Sequence, residues 1–190
     1  MTVDLWEPST SVPRWSIDRS FLSQEECLEL RTEFANLPKR PNDGSYPVSG
    51  VWQRFDDFAE GLFERGMRVN NDTFGLDLTG MFGLQIGRYN AGHSLSQHYD
   101  DTTFHSSPGT NSINLSPLSF RKFTVLCMLS KRSEYEGGQL QFDTGSCIEN
   151  INLEQGDAVL FPTWNLHGVT EVTKGERWIM VAWFTGRRWT

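Results

Sequence analysis

Residues 157–186 read DAVLFPTWNLHGVTEVTKGERWIMVAWFTG. Two apolar runs with strand character flank Thr173-Lys174-Gly175, a tripeptide whose Gly suits the left-handed position of a three-residue hairpin loop. With that loop, Val172 pairs with Glu176, Glu171 with Arg177 and His167 with Val181. Parity then sets His167, Arg177 and Trp183 on one face, whereas a two- or four-residue loop turns Arg177 to the other. Outward from this stretch the same texture continues. Short strands are expected over 81–89, 95–100, 120–130, 138–143, 147–153, 157–161, 164–172 and 176–185, with Gly, Asp and Asn between them. Many short strands with turn signals at close intervals mean a β-sandwich or barrel, such as a jelly roll.

Upstream the period is helical. Ser23-Gln24-Glu25-Glu26 is a capping box preceded by Leu22, a candidate staple residue. Cys27, Leu30, Phe34 and Leu37 recur on one helical face, and Pro38 stops the helix. WSIDRSFL, from Trp15, suits a short strand before it, and residues 1–12 read as a loose arm. Residues 38–50 are turn-rich and read as a loop. A second helix is expected through Trp52, Phe55, Ala59, Leu62 and Phe63. The expectation is a mainly β, α+β chain: helical support over about 13–75, packed on one sheet of a β core over about 76–186, in a single domain. Residues 101–119, rich in Ser, Thr, Asn and Pro, make a long loop that reads as a lid.

Composition narrows the function. The 190 residues are 37% hydrophobic and 22% charged, ordinary for a soluble globular protein. A net charge of -7 argues against a nucleic-acid binder. Three scattered Cys make neither a disulfide framework nor a zinc site. With no signal peptide and no apolar run of membrane-spanning length, a cytoplasmic protein without membrane attachment is expected, as a monomer or weak dimer.

The candidate site begins at YNAGHSLSQHYD, residues 89–100. On a strand His98 and Asp100 point the same way, giving two of the three ligands of a 2-His-1-carboxylate triad that suits non-haem Fe(II). The pair alone is weak, since His-x-Asp arises by chance; a third ligand is offered by His167 in the hairpin. Four residues, roughly 13 Å of strand, separate His167 from the Glu171–Arg177 pair. An extended Arg side chain covers part of that span, and a five-carbon dicarboxylate chelating the metal fits the rest. A guanidinium fork matches its far carboxylate. A surface Arg paired with Glu171 is the plainer alternative. His93 and His105 flank the site and read as solvated loop residues, and Trp164 either lines the entrance or packs.

Four blocks in order, over roughly 84–186, resemble the Fe(II)- and 2-oxoglutarate-dependent dioxygenases, specifically the prolyl 4-hydroxylase-like branch with the PKHD-type hydroxylases. They are Tyr89-x-x-Gly92 leading to His98-x-Asp100, FTVLCMLS (123–130), EYEGGQLQF (134–142), and Gly156-Asp157 through Phe161-Pro162 to His167, Arg177 and Trp183-Phe184. The resemblance implies a double-stranded β-helix, the jelly roll. It implies His98, Asp100 and His167 as iron ligands and Arg177 as the residue that meets the distal carboxylate of 2-oxoglutarate. By the same resemblance Tyr89 would reach that co-substrate, and Leu126, Met128, Leu140 and Trp183 would face inward around it. Met128 departs from the several relatives that carry Tyr there. The implied cofactors are Fe(II), 2-oxoglutarate and O2, with ascorbate as reductant. The implied reaction hydroxylates a C–H bond, with succinate and CO2 as co-products, and an acidic residue at position 100 favours hydroxylation over halogenation. A protein or peptide side chain, proline first, is the expected substrate. A free amino acid or small metabolite is the alternative within enzymes, and a non-catalytic metal-binding jelly roll the alternative outside them.

Overall fold

The computed structural model describes residues 13–39, 47–52, 56–100 and 119–187. The arm expected over 1–12 lies outside them, as does the lid expected over 101–119 apart from the backbone of Ser119. In chain order the strands are β1 (Ser16–Asp18), β2 (Val48–Trp52), β3 (Gly80–Asn90), β4 (Leu95–His98), β5 (Ser119–Met128), β6 (Tyr135–Gly137), β7 (Leu140–Asp143), β8 (Ile148–Ile151), β9 (Ala158–Pro162), β10 (His167–Val169) and β11 (Val172–Arg187). Helix α1 spans Gln24–Glu33 and α2 Asp57–Val69.

The strands form two antiparallel sheets. The major sheet runs β1-β9-β5-β11-β3-β2, with β6 also on β11; the minor runs β4-β10-β7-β8. Together they make a jelly roll. Along β11 the pleat divides two cores. Trp178, Met180, Ala182 and Phe184 face the helices, with Cys27, Leu30 and Leu62. Ile179, Val181 and Trp183 face the other way, into the space between the sheets, with Leu126, Met128, Leu140, Phe142 and Phe161. Burial on both faces explains why the C-terminal run is apolar without interruption instead of alternating.

Helix α1 forms as its cap dictates. Ser23 accepts from the Glu26 amide while the Glu26 carboxylate accepts from the Ser23 amide. The chain ends the helix in a 3-10 turn, Phe34–Asn36, ahead of Pro38. Helix α2 starts later than expected, with Asp56 capping the Ala59 amide. Residues 48–52 instead form β2, paired to β3 from Val48↔Arg88 to Trp52↔Leu84. An edge strand with Ser and Gly at its centre shows no clear period-2 pattern, which is why it reads as loop; Phe55 lies outside the described residues.

The hairpin is the larger correction. His167 pairs not with Val181 but with His98 on one side and Phe142 on the other. Thr173-Lys174-Gly175 is no loop: it lies within β11, where Val172, Lys174 and Gly175 pair with Gly137, Glu136 and Tyr135. The chain leaves the minor sheet at Thr170 and enters the major one at Val172, so the 13 Å argued along a single hairpin has no structural basis. Gly175 has φ 76°, and a Cβ there would fall 2.0 Å from the Glu134 carbonyl oxygen. Glycine is required for close backbone passage inside a strand, not for a reversal.

Candidate active site

The site lies at the mouth of the roll, where β4, β10 and the loop after β9 meet. His98 ends β4 and His167 opens β10, as direct cross-strand partners with ring centroids 4.3 Å apart. Asp100 lies two residues past the end of β4, outside the strand that was expected to reach it. A turn carries it inward, held by its amide donating to the Thr163 carbonyl at 3.0 Å. Ligand atoms of His98, Asp100 and His167 all fall within 4.8 Å of one another. The His98 Nε2 sits 3.5 Å from Asp100 Oδ1, and His167 Nε2 3.7 Å from Asp100 Oδ2.

Both imidazoles are oriented by the backbone. His98 Nδ1–H donates to the Ser96 carbonyl and His167 Nδ1–H to the Asn165 carbonyl, each at 2.9 Å. That leaves each Nε2 on the side of the carboxylate, as a lone pair when the ring is neutral and as a donor to Asp100 when it is protonated. Thr124 Oγ1 donates to Asp100 Oδ2 at 2.7 Å. Thr124 was not singled out from sequence, though it shares strand parity with Leu126 and Met128, which were. Phe161 packs edge-on against His167.

Electrostatics keep Asp100 and His167 in ligand form. Burial pushes the Asp100 carboxyl up, but hydrogen bonding from His98, the nearby His167 and the Thr124 hydroxyl outweigh it and hold the pKa at about 2. Burial lowers His167, reinforced by neighbouring His98 against the pull of Asp100, so it stays neutral. At His98 burial is outweighed by the Asp100 and Ser96 hydrogen bonds, and the pKa is raised. One anionic oxygen and two imidazole nitrogens on one side of a shared space could hold an octahedral cation and leave its opposite face open.

Deeper between the sheets lies Arg177, fully buried. It is not paired with Glu171. Among the described residues its Nε, Nη1 and Nη2 have no hydrogen bond of normal geometry. The guanidinium sits 5.0 Å from the centre of the Tyr89 ring, its direct partner on β3. Burial raises the Tyr89 pKa, opposed by the charge of Arg177 and by the closeness of the guanidinium to the Tyr89 hydroxyl. Leu126, Met128, Leu140 and Trp183 are buried in the same inner core. An isolated buried cation costs several kcal/mol, so this arrangement fits an anionic ligand that the described residues do not supply.

Two histidines complete the account. His93 is buried, not solvated: its Nδ1 accepts from the Asn90 amide and its carbonyl accepts from the Val172 amide. It pins the turn after Tyr89 to the start of β11. His105 lies outside the described residues. Trp164, 42% exposed, and Tyr99, 46% exposed, share an open groove of about 470 Å³ with Arg14, Asp143 and Thr144.

A facial donor set on a jelly roll, with a guanidinium buried behind it, defines a class that sequence comparison names. A family model for the 2OG-Fe(II) oxygenase superfamily matches residues 84–185, and the chain belongs to that superfamily. A PKHD-type hydroxylase of Alteromonas mediterranea is 28% identical over 85% of this chain and 74% of its own length. Another, from Prochlorococcus marinus, is 35% identical over 53% of this chain, a match that spans only 40% of the relative. Among solved structures, the viral collagen prolyl hydroxylase of Paramecium bursaria Chlorella virus-1 in its 2OG complex superposes with a TM-score of 0.71. It shares 18% identity, covers 93% of this chain and 97% of the viral one, and so attests the fold. Among the described residues no helix is long and apolar enough to cross a membrane.

Proposed function

We propose that this chain is an Fe(II)- and 2-oxoglutarate-dependent hydroxylase acting on a prolyl or other side chain of a protein or peptide. The observation that carries the reading is the fully buried Arg177 guanidinium, without an anionic partner among the described residues, in the same interior as the three-ligand cluster. Nothing in a simple metal-binding module calls for it.

The residues fit the two groups. His98 Nε2, His167 Nε2 and the Asp100 carboxylate hold the iron. Arg177, with Tyr89, holds the distal carboxylate of the co-substrate, while Leu126, Met128, Leu140 and Trp183 wall its carbon chain and exclude water. When bound, iron and 2-oxoglutarate supply the oxidising power: O2 converts a substrate C–H to C–OH as the keto acid becomes succinate and CO2. The protein contributes placement. Thr124 keeps Asp100 anionic, and the Ser96 and Asn165 carbonyls aim the imidazoles.

For the substrate, the open Tyr99–Trp164 groove beside the ligands supports an extended chain over a free amino acid, and exposed aromatic faces suit a prolyl ring. The prolyl hydroxylase named in the structural comparison points the same way. The test supplies Fe(II), ascorbate as reductant and 2-oxoglutarate under air with a panel of proline-containing peptides. Succinate and a peptide gaining one oxygen are expected, with both lost in His98→Ala. Failure to bind 2-oxoglutarate, together with no succinate from any peptide, overturns the reading.

A further inference from the structure

Tyr135 is left without a role by the assignments above. It lies in β6, its side chain belongs to the inner core, and it is 6% exposed. Its hydroxyl donates to Met128 Sδ at 3.8 Å, the hydroxyl's only hydrogen bond among the described residues. A thioether is a weak acceptor, so the single donor of this buried phenol is only weakly satisfied. Met128, Tyr135, Leu140 and Arg177 line one cavity of about 110 Å³. Gly138 allows the close approach: a Cβ there would fall 2.8 Å from Arg177 Cδ and 3.6 Å from Tyr135 Cδ2.

We propose that Tyr135 is a co-substrate-binding residue that donates its hydroxyl to the same distal carboxylate as Arg177. The inference rests on the 2-oxoglutarate reading and deepens it. A carboxylate offers about four lone-pair sites and a bidentate guanidinium fills two. A phenol that turns from a sulfur to an anionic oxygen exchanges a poor acceptor for a charge-assisted one. The residue thereby selects for a dicarboxylate, because a keto acid with an apolar tail offers that hydroxyl nothing.

Tyr135→Phe keeps the ring and deletes the donor. Isothermal titration of the Mn(II)-loaded protein under argon compares 2-oxoglutarate with 2-oxopentanoate, which keeps the keto-acid head and carbon chain but ends in a methyl group. The expected result is a dissociation constant for 2-oxoglutarate raised about tenfold or more, with that for 2-oxopentanoate unchanged. Unaltered 2-oxoglutarate affinity overturns the proposal for Tyr135 while leaving the Arg177 assignment standing. Equal weakening of both ligands overturns it too, by showing a packing role. A wild-type protein that binds neither ligand overturns the proposal together with the functional reading beneath it.

Discussion

Replacing Arg177 by Met should move ligand-free stability and ligand affinity in opposite directions. The guanidinium is fully buried and its three nitrogens have no hydrogen bond of normal geometry among the described residues, and an uncompensated buried ion costs several kcal/mol. Against this stands its contact with the Tyr89 ring, worth about 0.5–2 kcal/mol. Methionine fills much of the same volume without the charge. The net gain for ligand-free Arg177→Met is therefore about 1–3 kcal/mol, which for a chain of this size raises the melting temperature by about 2–12 °C. Binding goes the other way. Losing two charge-assisted hydrogen bonds of about 1.5–3 kcal/mol each weakens 2-oxoglutarate at least about a hundredfold. At a ligand concentration of about 100 Kd, the wild type gains about 2.7 kcal/mol from binding, and the variant at the same concentration gains under about 0.5 kcal/mol. Thermal unfolding of Mn(II)-loaded protein with and without 2-oxoglutarate reads both effects. A variant that melts below wild type without ligand refutes the claim of an uncompensated charge. One that retains the full wild-type shift on adding 2-oxoglutarate refutes Arg177 as its anchor.

Thr124→Val removes the hydroxyl that donates to Asp100 at 2.7 Å and should lower Fe(II) affinity about tenfold or more without unfolding the protein; an unchanged metal titration sinks the assignment. Gly175→Ala forces a Cβ toward the Glu134 carbonyl and should cost at least about 1–3 kcal/mol in denaturant unfolding, whereas an exposed hairpin loop would absorb it with little loss. Asp157 carries the pH prediction. Burial raises its carboxyl, but the Glu154 amide, the Arg19 guanidinium and the Ser20 amide outweigh it, so the folded pKa is depressed below 3.8. Stability from this group is present above its unfolded pKa and lost as pH falls through the lower folded value. Asp157→Asn should therefore cost about 1–3 kcal/mol at pH 7, and the gap from wild type should close on acidification below about pH 4. A gap independent of pH would contradict this.

The class of fold was legible in the chain because hydrophobic period survives translation into structure. The Ser23 capping box, the helical face of Cys27, Leu30 and Phe34, and the change of period near Leu76 are local features, set by residues within a few positions of each other. The order of the motif blocks was legible as well, and so was a shared inward parity for Arg177 and Trp183, since alternation along one strand does not depend on its partner. Tertiary structure decided everything that needed a partner. Periodicity says which face a side chain takes but not which strand lies alongside, so the apolar runs around His167 and Arg177 read as one hairpin although they lie in opposite sheets. Only the folded chain sets His98 beside His167, turns Asp100 inward beyond the end of its strand and gives both imidazoles backbone acceptors two residues upstream. It alone buries Arg177 beyond the reach of Glu171, because burial is the sum of contacts from strands far apart in sequence. The chemistry was written in residue types; their convergence was set by the packing of two sheets.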